Sequence, residues 1–508
     1  MKLQLPLLFG EHMVLQRDKE IRIWGTSVED DEISVSLNSQ HLKTKAVKGY
    51  WSITFKPEKT NFKTTLKIKS LLTDEEIVFN DVAIGEVWLA GGQSNMEFIM
   101  KYDVDYPATS KLESDNYLRC YTVPQVAYKG FMETENVSSS GYWRRWDKEI
   151  ERRYFSAIAT YMGMMLRDKL DVPVGIISCN WGGTPASAWC AKEDLLKAKQ
   201  LEPILLWHQK ACENTNWPVY IKASETKQPE PTREQLDFND RFMMGEDMSE
   251  FFKNFDPSKL PPKDYDQYAP GPRACIRPAG LYENMLCKIA PYALRGFLWY
   301  QGEDDDARGW QDFYDVSMIT LINSWRKLWK EELPFYQIEL APFEGIGATG
   351  AKKYNLMRHK QEEASNSLKD VYDVCILDAG ERFNIHPRRK KMVGERLGHI
   401  VMKHTYGDNS LMADCPRIKD VVRKDNIEIS FTNSDGGLIL KDNYKDNFRV
   451  TYNDELISYE VFIENDKLII KTDLSKEKIT IEYCESNYCE ASLFNVEGNP
   501  VFGFTCEV

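Results

Sequence analysis

Ser94 stands in Ala90-Gly91-Gly92-Gln93-Ser94-Asn95-Met96-Glu97, just past an apolar run that ends in two glycines. Paired glycines let a backbone turn tightly and leave the next hydroxyl open. A serine hydroxyl becomes a useful nucleophile only when it is exposed and a base takes its proton. The segment is not a G-x-S-x-G elbow, because Met96 occupies the place of the last glycine. A serine there also suits the cap of a following helix. A second glycine pair lies in Ser178-Cys179-Asn180-Trp181-Gly182-Gly183-Thr184-Pro185. Its backbone N–H groups can face an anion, as an oxyanion hole requires, or form a plain turn. Trp299-Tyr300-Gln301-Gly302-Glu303 offers the Gln301 amide as a further donor, or as a bond to neighbouring loops. His386, one of 7 histidines, lies in Asp378-Ala379-Gly380-Glu381-Arg382-Phe383-Asn384-Ile385-His386-Pro387 and fits a general base.

These residues need elements to hold them. Residues 1–81 alternate with period two in Ile21 to Gly25, Ile33 to Leu37, Trp51 to Phe55, Thr64 to Ile68 and Ile77 to Phe79, which predicts a β-rich N-terminal domain. From residue 82 the pattern becomes apolar strands alternating with helices. Strands are expected at Val82 to Gly91, Val172 to Ser178, Leu294 to Tyr300, Phe335 to Leu340 and Val374 to Leu377. Helices are expected at Phe155 to Leu170, Phe313 to Glu331, Lys353 to Leu368 and Lys390 to His404. That alternation predicts an α/β domain over 82–410, a parallel sheet with helices on both faces. Ser94, the glycine pair, Gln301 and His386 then all follow strand ends, where ligands of such sheets bind. A polar, mostly helical insertion is expected at about 191–275, broken at Lys227 to Pro231 and Pro257 to Pro262. A second β domain is expected over 411–508, with strands near Ile427, Phe448, Lys467 and Ile479.

Composition narrows the classes. The chain has 508 residues, enough for several cores without a disulfide scaffold. Net charge is −13, opposite to a nucleic-acid footprint. No apolar stretch approaches the roughly 20 residues of a membrane span. The 25 Tyr, 23 Phe and 13 Trp suit carbohydrate contacts as well as large cores. The 11 cysteines are scattered and the opening residues make a poor signal peptide, so a cytoplasmic protein is expected. Cys484 and Cys489 have no second close pair and no nearby histidine, so neither zinc nor any other cofactor is expected.

Taken together, Gly92 to Met96, Trp181 to Pro185, Trp299 to Glu303, Ile385-His386-Pro387 with Lys390 or Lys391, and Val393 to Leu397 resemble the sialate O-acetylesterase family of SGNH-type serine hydrolases. Leu5 to Gln16 and Pro278 to Tyr282 resemble the family's opening and the segment before its third block. The resemblance implies an SGNH-type three-layer domain flanked by β-sandwich-like segments. It implies an enzyme that removes acetyl groups from sugar hydroxyls through an acetyl-enzyme. Ser94 is then the nucleophile and His386 the base, and Ser94, Gly182, Gly183 and Gln301 form the oxyanion hole. Two departures stand out. Glu303-Asp304-Asp305 replaces the family's Glu-Ser-Asn, and Phe383 and Asn384 occupy the places where the family carries its aspartate. The acid that orients the imidazole is then Glu381 or Asp378, or the pair works as a dyad helped by a carbonyl or Asn384. The leading substrate is 9-O-acetylated sialic acid, whose carboxylate needs a cation such as Arg382, Arg388, Arg389, Arg277 or Arg308. Acetylated xylan or mannan is the rival substrate. A carbohydrate-binding protein without catalysis is the rival class.

Overall fold

The computed structural model describes residues 2–129, 140–226, 231–254, 265–346 and 350–508. Of the breaks expected at Lys227 to Pro231 and Pro257 to Pro262, every residue but Pro231 lies outside the described residues. Seven strands form the central sheet: β1 (Glu76–Gly92), β2 (Asp115–Thr122), β3 (Trp143–Trp146), β4 (Val174–Asn180), β5 (Gly296–Tyr300), β6 (Phe335–Ile338) and β7 (Val371–Val374). Their spatial order is β7-β6-β5-β1-β4-β2-β3, parallel except for β3. β4 and β5 are buried at every position, as is β1 from Val82 onward, which is why they read as unbroken apolar runs.

Five helices matter most for the site: α1 (Ala157–Leu170), α2 (Arg233–Met243), α3 (Tyr314–Trp329), α4 (Tyr354–Asn366) and α5 (Lys390–Tyr406). Register sets which face each helix covers. Trp88, Ile176 and Gly296 pair laterally and share one face, while Leu89 pairs with Phe297 and Gly91 with Trp299 on the other. α1 lies over Ile176, where Gly163 approaches its side chain, and α5 packs on α1. Trp325 of α3 lies edge-on to Phe297 and Trp299, on the opposite face. The result is the three-layer α/β domain expected.

The flanking β regions are antiparallel. In the N-terminal region Ile21–Thr26 pairs with Tyr50–Phe55, and Glu32–Leu37 pairs with Gln40–Lys45 and Asn61–Ser70. Asn61–Ser70 then pairs with the first half of β1. The boundary expected at 81/82 therefore falls inside one continuous strand. The C-terminal sheets close on a separate core of Ile427, Ile429, Val450, Ile470 and Ile481.

Two sequence expectations shift. The strand expected at Val374 to Leu377 lies at Val371–Val374, because Cys375 and Leu377 leave the sheet and bury in the C-terminal core. β2 and β3 were not anticipated. Arg119 and Arg144 interrupt their apolar pattern, yet both are buried: Arg119 bonds Asp81 at 2.8 Å and Arg144 lies over the Phe155 ring.

Glu86, fully buried in the middle of β1, ties the N-terminal region to the central sheet. It accepts from Arg17 Nε at 2.5 Å, Gln16 Nε2 at 3.1 Å and Arg295 Nε at 2.7 Å. Removing its carboxylate leaves two largely buried guanidiniums facing each other. Glu86→Ala is expected to lower stability by about 3 kcal/mol, the low end for a broken buried pair, because solvent still reaches part of each arginine. Urea unfolding measures this, and a loss below about 1 kcal/mol would place the cluster with ordinary surface pairs.

Candidate active site

Three strand ends lie side by side. Gly92 of β1 pairs with Asn180 of β4 and with Tyr300 of β5. Gly92 has φ +135°, and a Cβ there would sit 2.1 Å from the Tyr300 carbonyl oxygen, so only glycine fits. The Gln93 N–H donates to Tyr300 O at 3.0 Å and the Trp181 N–H donates to Gly92 O at 3.1 Å, which joins the three loops. Ser94 then opens a short helix, Ser94–Glu97. The loop after β7 brings His386 over this point, with Nε2 2.8 Å from Ser94 Oγ. Packing around the ring and the nearby Lys390 cation push the imidazole down to about 3, so at neutral pH Nε2 is an acceptor and the Ser94 hydroxyl donates to it. The His386 N–H donates to Asn384 Oδ1 at 3.0 Å, and Phe242 of the insertion helix α2 meets the imidazole edge-on at 5.6 Å.

The expected oxyanion donors divide. The N–H groups of Ser94 and Gly183 donate to no protein acceptor among the described residues. Gly182 does not fit its expected role: its N–H donates to Glu97 Oε2 at 2.7 Å, and Gln125 holds the other oxygen of that half-buried carboxyl at 3.0 Å. Gln301 departs from expectation as well. Its Nε2 donates to Asp305 Oδ2 at 2.6 Å and to Thr184 O at 3.1 Å, while its Oε1 accepts from Tyr314 OH at 2.8 Å. Asp305, one helical turn on, captures the amide, and the side chain is fully buried away from any substrate.

The acid expected at Glu381 is likewise corrected. Glu381 accepts from the Arg388 N–H at 2.7 Å and from Asn384 Nδ2 at 3.0 Å, so it closes the loop on itself. Asp378 is held by both terminal nitrogens of Arg396 at 2.8 Å each. His386 Nδ1 is sealed from solvent and has no hydrogen-bond partner among the described residues. The geometry is that of a Ser–His dyad.

What braces the dyad is a group whose role sequence reasoning missed. Asn95 Nδ2 donates to the Ile385 carbonyl at 2.9 Å and to Glu303 Oε1 at 2.5 Å, and its Oδ1 accepts from Lys390 Nζ at 2.5 Å. All three side chains are buried. Burial pushes the Lys390 amine down to about 7 and the Glu303 carboxyl up. Asn95, the residue after Ser94, is therefore tied to Ile385, the residue before His386. The only signal for this in sequence was its place beside Ser94.

Comparison with known proteins adds the chemistry. Residues 266–400 match a family described as carbohydrate esterase, sialic acid-specific acetylesterase. The rat sialate O-acetylesterase is 24% identical over 449 residues, covering 81% of this chain and 75% of its own. The human one is 22% identical over 440 residues, covering 80% and 71%. The chain is a carboxylic ester hydrolase. A crystal structure of a carbohydrate acetylesterase from Xanthomonas citri shares the fold, with a TM-score of 0.75 and 23% identity over 99% of both chains. The esterase thus resembles the sialate O-acetylesterase family, and O-deacetylation of sugars is the reaction class that this likeness supports.

Two measurements check this geometry. The base works when neutral, so a depressed pKa extends activity toward acid. The esterase is expected to hold its kcat/KM plateau through pH 6.5, the ordinary histidine value, and to lose it only toward about 3. Lys390→Met removes one of the two depressing causes and should move that acid limb to higher pH. Glu381→Gln should lower kcat by no more than about tenfold, against the roughly 10⁴ expected on losing a triad carboxylate. A collapse of that larger size would restore Glu381 as the orienting acid.

Proposed function

We propose that the protein is a serine esterase that removes O-acetyl groups from sugars through an acetyl-enzyme on Ser94, with 9-O-acetylated sialic acid as substrate. The observation that carries this reading is the 2.8 Å contact between His386 Nε2 and Ser94 Oγ beyond the central strand ends. Ser94 Oγ attacks the acetyl carbonyl while its proton passes to His386 Nε2. The oxyanion that forms is met by the Ser94 and Gly183 N–H groups. The C–O bond to the sugar then breaks, and the sugar oxygen takes the proton from His386. A water molecule, deprotonated by the same Nε2, attacks the acetyl-serine, and acetate leaves as Ser94 recovers its proton.

The sialate reading is supported by the names of the relatives and by Arg388; Arg389, the other candidate without a carboxylate partner among the described residues, is exposed. Arg382 pairs with Glu344, Arg308 with Asp304, and Arg277 with Glu283. Arg388, beside His386, donates Nε to the Tyr102 carbonyl at 2.8 Å and is paired with no carboxylate among the described residues. A guanidinium in that position suits a sugar carboxylate.

Ser94→Ala should leave the fold intact by thermal unfolding and lower kcat on the order of 10⁶-fold. Retention of a tenth of wild-type turnover would end the acetyl-enzyme mechanism. A substrate panel tests the finer reading. Release of acetate should be fastest from 9-O-acetylated sialosides, and Arg388→Met should raise KM for these and not for neutral acetylated sugars. Higher kcat/KM on acetylated xylo- or manno-oligosaccharides would replace sialate with plant polysaccharide.

A further inference from the structure

The Trp181-Gly182-Gly183 turn has the nucleophile at one end and a tyrosine at the other. A Cβ on Gly182 would sit 3.2 Å from Ser94 Cβ. A Cβ on Gly183 would sit 3.4 Å from Cε1 and 3.5 Å from Cδ1 of Tyr268. Tyr268 thus lies against Gly183, whose N–H has no acceptor among the described residues, and is still 44% exposed. It is not a loose surface residue. Its hydroxyl accepts from the Trp181 indole N–H at 3.3 Å, and its own N–H donates to Asp266 Oδ1 at 2.9 Å. The loop that carries it is held by the Cys275 N–H on Gln267 O at 2.9 Å, by His208 Nε2 on Gly271 O at 3.0 Å, and by the Arg273 N–H on Tyr220 OH at 3.0 Å.

A large aromatic ring that is fixed at its edge and open on its surface does not contribute to a core. It presents a rigid apolar surface with a negative π-face. Sugar rings carry one face of polarised C–H groups, and binding sites combine apolar walls with a few convergent polar groups. On the reading that the substrate is an acetylated sugar, we propose that Tyr268 is the wall on which the sugar ring packs, and that it delivers the acetyl group across the Gly182-Gly183 turn to Ser94. A Cβ at 183 would meet the Tyr268 ring at ordinary contact distance, so the ring lies directly against this residue, and the φ of +66° favours glycine there.

The test separates ring packing from chemistry by using two kinds of ester. Ethyl acetate carries the acetyl group without a ring; acetylated sialosides and xylosides carry both. Tyr268→Ala is expected to raise KM for the acetylated sugars by roughly three- to tenfold, the worth of one aromatic packing contact, with kcat little changed. Its kcat/KM on ethyl acetate should stay within about twofold of wild type. Tyr268→Phe, which keeps the ring, should retain the sugar KM. If Tyr268→Ala fails to fold, Tyr268→Leu carries the same comparison with an apolar side chain that lacks the π-face. An equal loss on ethyl acetate and on sugars would show that Tyr268 only supports the turn, and would overturn the proposal. So would an unchanged sugar KM, or a rise confined to Phe383→Ala on the base loop. A wild-type enzyme that cleaves ethyl acetate and no acetylated sugar would overturn the sugar reading itself, a result seen before any variant is made.

Discussion

Gly92 is the position on which the catalytic arrangement rests. It ends the central strand in line with Asn180 and Tyr300, and its missing side chain lets the Tyr300 carbonyl lie where a Cβ would be. That close approach fixes where Ser94 emerges relative to the turn after β4 and the helix after β5. A one-residue slip in register would reverse every side chain between the two helical layers, so Trp88, Leu89, Phe297 and Trp299 enforce the alignment through packing. The precision of the site is thus a property of the core beneath it.

Above the sheet, polar groups do the positioning, and most of them are spent on each other. Gln301 serves Thr184, Asp305 and Tyr314; Gly182 serves Glu97; Glu381 serves Asn384 and Arg388. An unpaired buried polar group is costly, so such side chains settle on a neighbour when one is in reach. Asn95 shows the functional use of the same rule. By bonding Ile385 O, Glu303 and Lys390 together, it couples the Ser94 helix to the His386 loop, where no carboxylate among the described residues reaches His386 Nδ1. On the proposed mechanism, rigid placement of the imidazole takes over the orienting half of an acid's role. The charge-stabilising half has no provider among the described residues, and Lys390 acts against it.

The elements that hold the site were legible where periodicity was clean. The buried strands at Val174–Asn180 and Gly296–Tyr300 and the helices at Tyr314–Trp329 and Lys390–Tyr406 follow their apolar patterns closely. β2 and β3 were not legible, because Arg119 and Arg144 are solvated residues by composition and buried ones by partnership. The meeting of Ser94 with His386 was legible from residue type and strand-end position. The roles of Gln301, Gly182 and Glu381 were not, because a side chain's hydrogen-bond partner is chosen by distance in space among several equivalent acceptors.

The sequence by itself determined the α/β alternation, the serine, glycine and histidine segments that follow the strands, and the absence of aspartate at 383 and 384, three and two residues before His386. These are matters of local pattern and residue identity, which need no knowledge of neighbours. Only the tertiary structure decided which N–H groups remain open, that Asn95 and Lys390 brace the base loop, and that Tyr268 of the insertion stands beside the nucleophile's turn. The physical reason is that donor assignment, burial and charge depend on contacts between segments far apart in the chain, from Asn95 to Lys390 and from Gly183 to Tyr268, and those contacts exist only after the sheet has set their distances.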